Sequence, residues 1–102
     1  MANQQLTKYF KVGGGGSYTS LCVKFNTTAK ANITVYFASG GETNLRYAAL
    51  YDSANNKTES TVGSSSKSSI VNYTFTNVSA GNYSIASSGS GLNIYLIVIE
   101  YI

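Results

Sequence analysis

A chain of 102 residues, 43% hydrophobic, is long enough to bury its own core and too apolar to be disordered. Only 11% of its residues are charged, and the net charge of +3 comes from seven scattered cations that all precede Ile70, whereas a nucleic-acid interface clusters them. With no histidine and a single cysteine, Cys22, a Ser-His or Cys-His nucleophile, an intrachain disulfide and the usual zinc or iron–sulfur ligand sets are excluded, so no cofactor and no metal are expected.

Leu6 to Val12 alternates, with Leu6, Phe10 and Val12 on one side and Tyr9 and Lys11 on the other, and predicts a first strand. The glycine run 13–16 reads as a flexible connection, because the Lys-Ser/Thr pair and the helix of a phosphate loop do not follow it. Ser17 to Phe25 predicts a second strand with Leu21, Val23 and Phe25 inward and Cys22 and Lys24 outward. Asn32 to Ala38 alternates again, Ile33, Val35 and Phe37 against Thr34 and Tyr36, and Ser39-Gly40-Gly41 ends it as a turn.

Asn44 to Asp52 fits a strand, although Leu45, Ala48, Ala49 and Leu50 would also suit a short helix. Its strand neighbours and the closing YDSANN turn favour the strand, with Ala48 and Leu50 inward, Tyr47 and Tyr51 outward, and Arg46 at the end of the inward row. Thr58 to Val62 is a short polar edge strand, followed by the Ser-rich loop 63–69. Ile70 to Phe75 places Val71, Tyr73 and Phe75 on one face. Asn77 to Gly81 is a turn, and Asn82 to Ser87 points Tyr83 and Ile85 inward.

The chain closes on Leu92 to Ile102, apolar on both faces except at Asn93 and Glu100. Its β-branched residues favour a central strand over a helix. Unbroken alternation puts Leu92, Ile94, Leu96 and Val98 in the core and leaves Asn93, Tyr95, Ile97 and Ile99 on the reverse. About eight short strands separated by turns predict one all-β domain over 1–102, an antiparallel two-sheet β-sandwich of jelly-roll type. Met1-Ala2 reads as an added start, so a targeting segment is expected to have been removed or to lie on a larger parent chain. No apolar run reaches membrane-spanning length, and no membrane partner is expected.

The four carboxylates, Glu42, Asp52, Glu59 and Glu100, are dispersed among a turn, a strand end, an edge and the terminus, which argues against the paired acids of a glycosidase. A calcium site from carbonyls and one of Glu42 or Asp52 stays open. The nine tyrosines, with no tryptophan, are the richer signal, since an exposed tyrosine on a sheet suits sugar stacking or a protein interface.

The run Leu45-Arg46 through Ala48 and Leu50-Tyr51-Asp52, then Ala80-Gly81-Asn82-Tyr83 and Ser87-Ser88-Gly89-Ser90-Gly91-Leu92-Asn93-Ile94-Tyr95, resembles small non-catalytic β-sandwich carbohydrate-binding modules. Such modules are appended to bacterial secreted pectate lyases. The resemblance covers the C-terminal two-thirds; Ala48 and Ala49 are smaller than the pattern leads one to expect, and no motif assigns a ligand-binding lysine. It implies a secreted, extracellular module, not an enzyme, that holds a parent chain's catalytic domain near plant cell-wall polysaccharide.

The charge excess matches pectin, a uronate polymer. The candidate binding residues are Lys24 and Arg46 for carboxylates, with Tyr36, Tyr47, Asn93 and Tyr95 for stacking and hydrogen bonding; Lys57 and Lys67 are in reserve. The alternative is a structural or adhesion module that docks a partner through outward Ile97, Ile99 and Tyr101.

Overall fold

The alternating run around Ile33 becomes a central strand. A computed structural model describes residues 10–14, 16–17, 21–41 and 45–102. Within them lie β1 (Phe10–Val12), β2 (Cys22–Thr27), β3 (Ala31–Ser39), β4 (Arg46–Asp52), β5 (Lys57–Ser64), β6 (Val71–Val78), β7 (Gly81–Ser87) and β8 (Leu92–Tyr101). Two four-stranded antiparallel sheets result, one in the order β1-β8-β3-β6 and the other β2-β7-β4-β5. This is the connectivity of a jelly-roll β-sandwich. Residues 6–9 of the first predicted strand, 18–20 of the second, Glu42 and Asn44 lie outside the described residues. The segment in which a helix competed with a strand is a strand, held on both sides by β5 and β7.

The core forms where the two inner faces meet. Ile33, Val35 and Phe37 of β3 pack with Ala48 and Leu50 of β4, Phe75 of β6, Ile85 of β7, and Leu92 and Ile94 of β8. Burying each large side chain of this set contributes roughly 1.5–3 kcal/mol, so the hydrophobic layer and not surface charge holds the sheets together. Tyr73 and Tyr83, expected in the core, sit at its rim, where each ring packs and each hydroxyl finds a partner. Tyr83 stacks on Phe25 with centroids 6.0 Å apart and donates to the Ser79 carbonyl at 2.8 Å. Ala48 and Ala49 are small for a structural reason: both are 0% exposed, one in the core and the other against Ala86 on the outer face.

Three local expectations are corrected. Leu21 is not a core residue: its φ of 54° takes it out of the ladder, it is 53% exposed, and β2 begins at Cys22. Asn77 does not open a turn; with φ of 56° it sits in a bulge where Ala31 pairs with Val78 but Ile33 with Phe75, and β6 runs on to Val78. Its N–H donates to the Asn32 side chain at 3.0 Å.

The largest correction concerns β8. Phe37 pairs with Ile94 and Tyr36 with Leu96, leaving Tyr95 as an extra residue that reverses the alternation beyond it. Ile97 and Ile99 therefore pack on the core, and Leu96 and Val98 take the outward side.

On the side where β5 and β6 lie at the sheet edges, the Tyr73 hydroxyl donates to the Glu59 carboxylate and ties the sheets together. That hydrogen bond, followed by desolvation and the nearby negative charge, raises the Tyr73 pKa above the ordinary 10.0. Tyr101 shifts the other way, because the side chain and backbone of Thr28 hydrogen-bond to its oxygen and favour the phenolate. The raised group contributes stability that is present below its unfolded value and is lost as pH rises through the folded one. In an ultraviolet titration, Glu59→Gln is expected to pull the most basic tyrosine component down towards the ordinary range and leave the Tyr101 component in place. An unchanged basic component would show that Glu59 does not govern Tyr73.

Candidate functional site

At one end of the sandwich, the turn after β3 meets the turn before β8. The Gly40 N–H donates to the Gly91 carbonyl at 3.0 Å, and the Arg46 Nη1 donates to the same oxygen at 3.0 Å. Buried serines brace the turn from below. The Ser39 N–H donates to the Ser64 hydroxyl at 2.9 Å, that hydroxyl lies 2.6 Å from the Ser69 carbonyl, and the Gly41 N–H donates to the Ser39 hydroxyl at 3.1 Å. The Ser-rich loop read as low complexity thus anchors the β3–β4 turn. Glycine at position 41 is required by the guanidinium, since a Cβ there would stand 2.9 Å from Arg46 Cζ.

Beside this clamp is a cavity of about 140 Å³, lined by Lys11 and Val12 of β1, Gly40, Arg46, Gly91, and Leu92 and Asn93 of β8. Val12 and Leu92 form an apolar base, being 3% and 1% exposed. Lys11 and Asn93 are cross-strand partners, so their side chains share the outer face of the sheet. Arg46 has one arm occupied by Gly91, while its Nε is buried with no hydrogen-bond partner among the described residues. Asn93 is 5% exposed and lies on the same cavity wall. Buried polar groups are nearly always paired, so the unpaired Arg46 Nε beside this cavity marks a place prepared for an acceptor. No carboxylate, hydroxyl or thiol side chain is among the described lining residues. The arrangement can hold an anion through charge-assisted hydrogen bonds.

The structure brings Arg46 and Asn93 together and disperses the other four candidates. Lys24 is exposed on the outer face of the second sheet, in a row that continues through Ser84 and Tyr51 to Lys57. That face is closed nearby: Ser84 is 0% exposed, and its hydroxyl donates to the Ser17 carbonyl at 3.4 Å. Tyr36 stands on the outer face of the other sheet, between Asn72 and Leu96. Tyr47 is 39% exposed at the Gly63 end of β4. Tyr95, at the bulge, lines an apolar recess of about 390 Å³ with Val23, Ile94, Leu96 and Ile97. Lys67 is exposed in the loop after β5. Lys11 was not among the candidates, because only the β1–β8 register places it beside Asn93.

Among the described residues the carboxylates do not converge on a second site. Glu59 borders the cleft between the β5 and β6 edges, which Leu50, Phe75 and Tyr83 also line. Asp52 serves its turn, accepting the Ala54 and Asn56 N–H groups at 3.0 and 2.9 Å. Among the described residues there is no group of three or more His, Cys, Asp or Glu side chains able to hold a metal ion, and no helix long and apolar enough to cross a membrane. No family model matches the chain, and no curated protein matches it.

Proposed function

We propose that this β-sandwich is a non-catalytic carbohydrate-binding module that holds a secreted bacterial enzyme near a plant cell-wall polysaccharide, with homogalacturonan as the preferred ligand. The observation that carries the reading is the cavity where Lys11, Arg46 and Asn93 offer donors of positive or neutral charge, with no carboxylate among its described lining residues. A uronate supplies a carboxylate for the cations and ring hydroxyls for the Asn93 amide, whose oxygen and nitrogen can both engage. The sequence resemblance to pectate-lyase modules points the same way.

Affinity electrophoresis tests it against low-ester pectin, xylan and a neutral glucan, each at low and high salt. Retardation is expected in pectin only, and weaker at high salt because exposed charge pairs are screened. Equal mobility in all the gels sinks the proposal. The second reading, a docking module, is favoured by the apolar recess at Tyr95 and by the outward turn of Leu96. Its signature would be self-association or partner capture without retardation in any gel.

A further inference from the structure

We infer that the Lys11–Arg46–Asn93 cavity receives the terminal unit of an acidic glycan chain, one uronate residue, and not an internal run of the polymer; this rests on the carbohydrate-binding reading above. Size is the first reason. At about 140 Å³ the cavity is less than half the ~300 Å³ at which ordinary small-molecule sites begin, so it accepts a single carboxylate-bearing ring and no more.

Position is the second reason. The cavity lies where β1 and β3 end and β4 and β8 begin, and the hydrogen bonds of Gly40 and Arg46 to the Gly91 carbonyl close it on one side. An internal residue needs the chain to leave in two directions along an open groove. Among the described residues, Tyr36, Tyr47 and Tyr95, which would be the aromatics to extend such a groove, stand on other surfaces.

Convergence is the third. The buried Arg46 Nε and the Asn93 amide, 5% exposed, border the same small volume, while Lys11 is exposed at its margin. Donors gathered this closely read one group, whereas a polymer-tracking surface spaces its cations along the chain. Lys24 and Lys57, separated by two intervening strands on the outer face of the second sheet, have that spaced character and belong to a different surface.

Isothermal titration calorimetry at low salt, with mono-, di-, tri- and hexagalacturonate and with neutral galactose oligomers, distinguishes the alternatives. The expected result is one ligand per protein, an affinity that levels off by the disaccharide, and no heat from the neutral series. Lys11→Gln, an exposed position tolerant of change, and Asn93→Ala should each weaken the disaccharide and the hexamer by the same factor, about tenfold, or about 1.4 kcal/mol. Affinity that climbs with each added sugar, or that both variants leave unchanged, overturns terminal recognition while pectin retardation keeps the module reading intact. Silence from every uronide together with equal mobility in every gel removes both.

Discussion

Ile97→Asp is expected to unfold the domain at room temperature or bring it to the edge of unfolding, while Leu96→Asp leaves it folded. The two residues are adjacent, similar in size and embedded in the same apolar run, so composition gives no reason to separate them. The separation comes from Tyr95, the extra residue between the Phe37–Ile94 and Tyr36–Leu96 pairs. Beyond it Ile97 and Ile99 pack on the core cluster, and Leu96 shares the outer face with Tyr36. Ile97 is partly buried against that cluster, so removing its apolar bulk costs about 2 kcal/mol, the low end for a buried isoleucine, and turning a carboxylate towards that layer adds its desolvation. Against a total stability of about 5–15 kcal/mol, that loss is decisive. Leu96→Asp exchanges one outward group for another and should cost about 1 kcal/mol or less. Urea unfolding followed by circular dichroism reads both. The reverse order, Leu96→Asp the more damaging, would mean that the alternation of β8 is unbroken.

The contrast shows where this sequence can be read and where it cannot. Ile33, Val35 and Phe37 alternate without interruption between two turn signals, and β3 carries all three into the core at 0% exposure. The same logic held for Ala48 and Leu50, where strand neighbours outweighed a fair helix pattern. It failed at Leu21, Asn77 and Tyr95, and in each case the failure is a local backbone event. Two are left-handed residues, and the third is a bulge with no glycine to announce it. A period-two reading has no means of sensing one inserted residue, and one is enough to exchange the faces of everything after it.

The site was legible to a similar degree. Arg46 at the head of an apolar strand and Asn93 inside one were visible as polar residues with no local reason to be there. Their meeting depends on the turns at Gly40 and Gly91, which are 51 residues apart in sequence yet joined by a hydrogen bond of 3.0 Å. Lys11 was invisible as a partner because a three-residue edge strand contains no register information of its own. The tyrosines looked like one platform because outward residues were pooled without regard to sheet. Assigned to sheets, Tyr36 and Tyr47 belong to opposite outer faces.

Gly41→Ala isolates the functional contribution of Arg46 from its structural one. The added Cβ would press on the guanidinium, 2.9 Å from Cζ, and on no backbone atom among its nearest contacts, so the flexible arginine end is what must move. The Gly40–Gly91 hydrogen bond and the Ser39–Ser64 brace do not involve the arginine and should persist, so the structural loss is confined to the Arg46–Gly91 hydrogen bond, about 1 kcal/mol. Hydrogen bonds to charged groups are worth about 1.5–3 kcal/mol, so displacing the guanidinium should weaken galacturonate binding about ten- to a hundredfold. Arg46→Lys is the companion, since it keeps the charge and loses the planar fork that can serve Gly91 and a ligand together. If charge alone mattered, the lysine variant would bind like the parent and only Gly41→Ala would suffer. If placement of the fork matters, both should fail alike in calorimetry while both stay folded, and a Gly41→Ala protein that binds at full strength would leave Lys11 and Asn93 as the whole of the site.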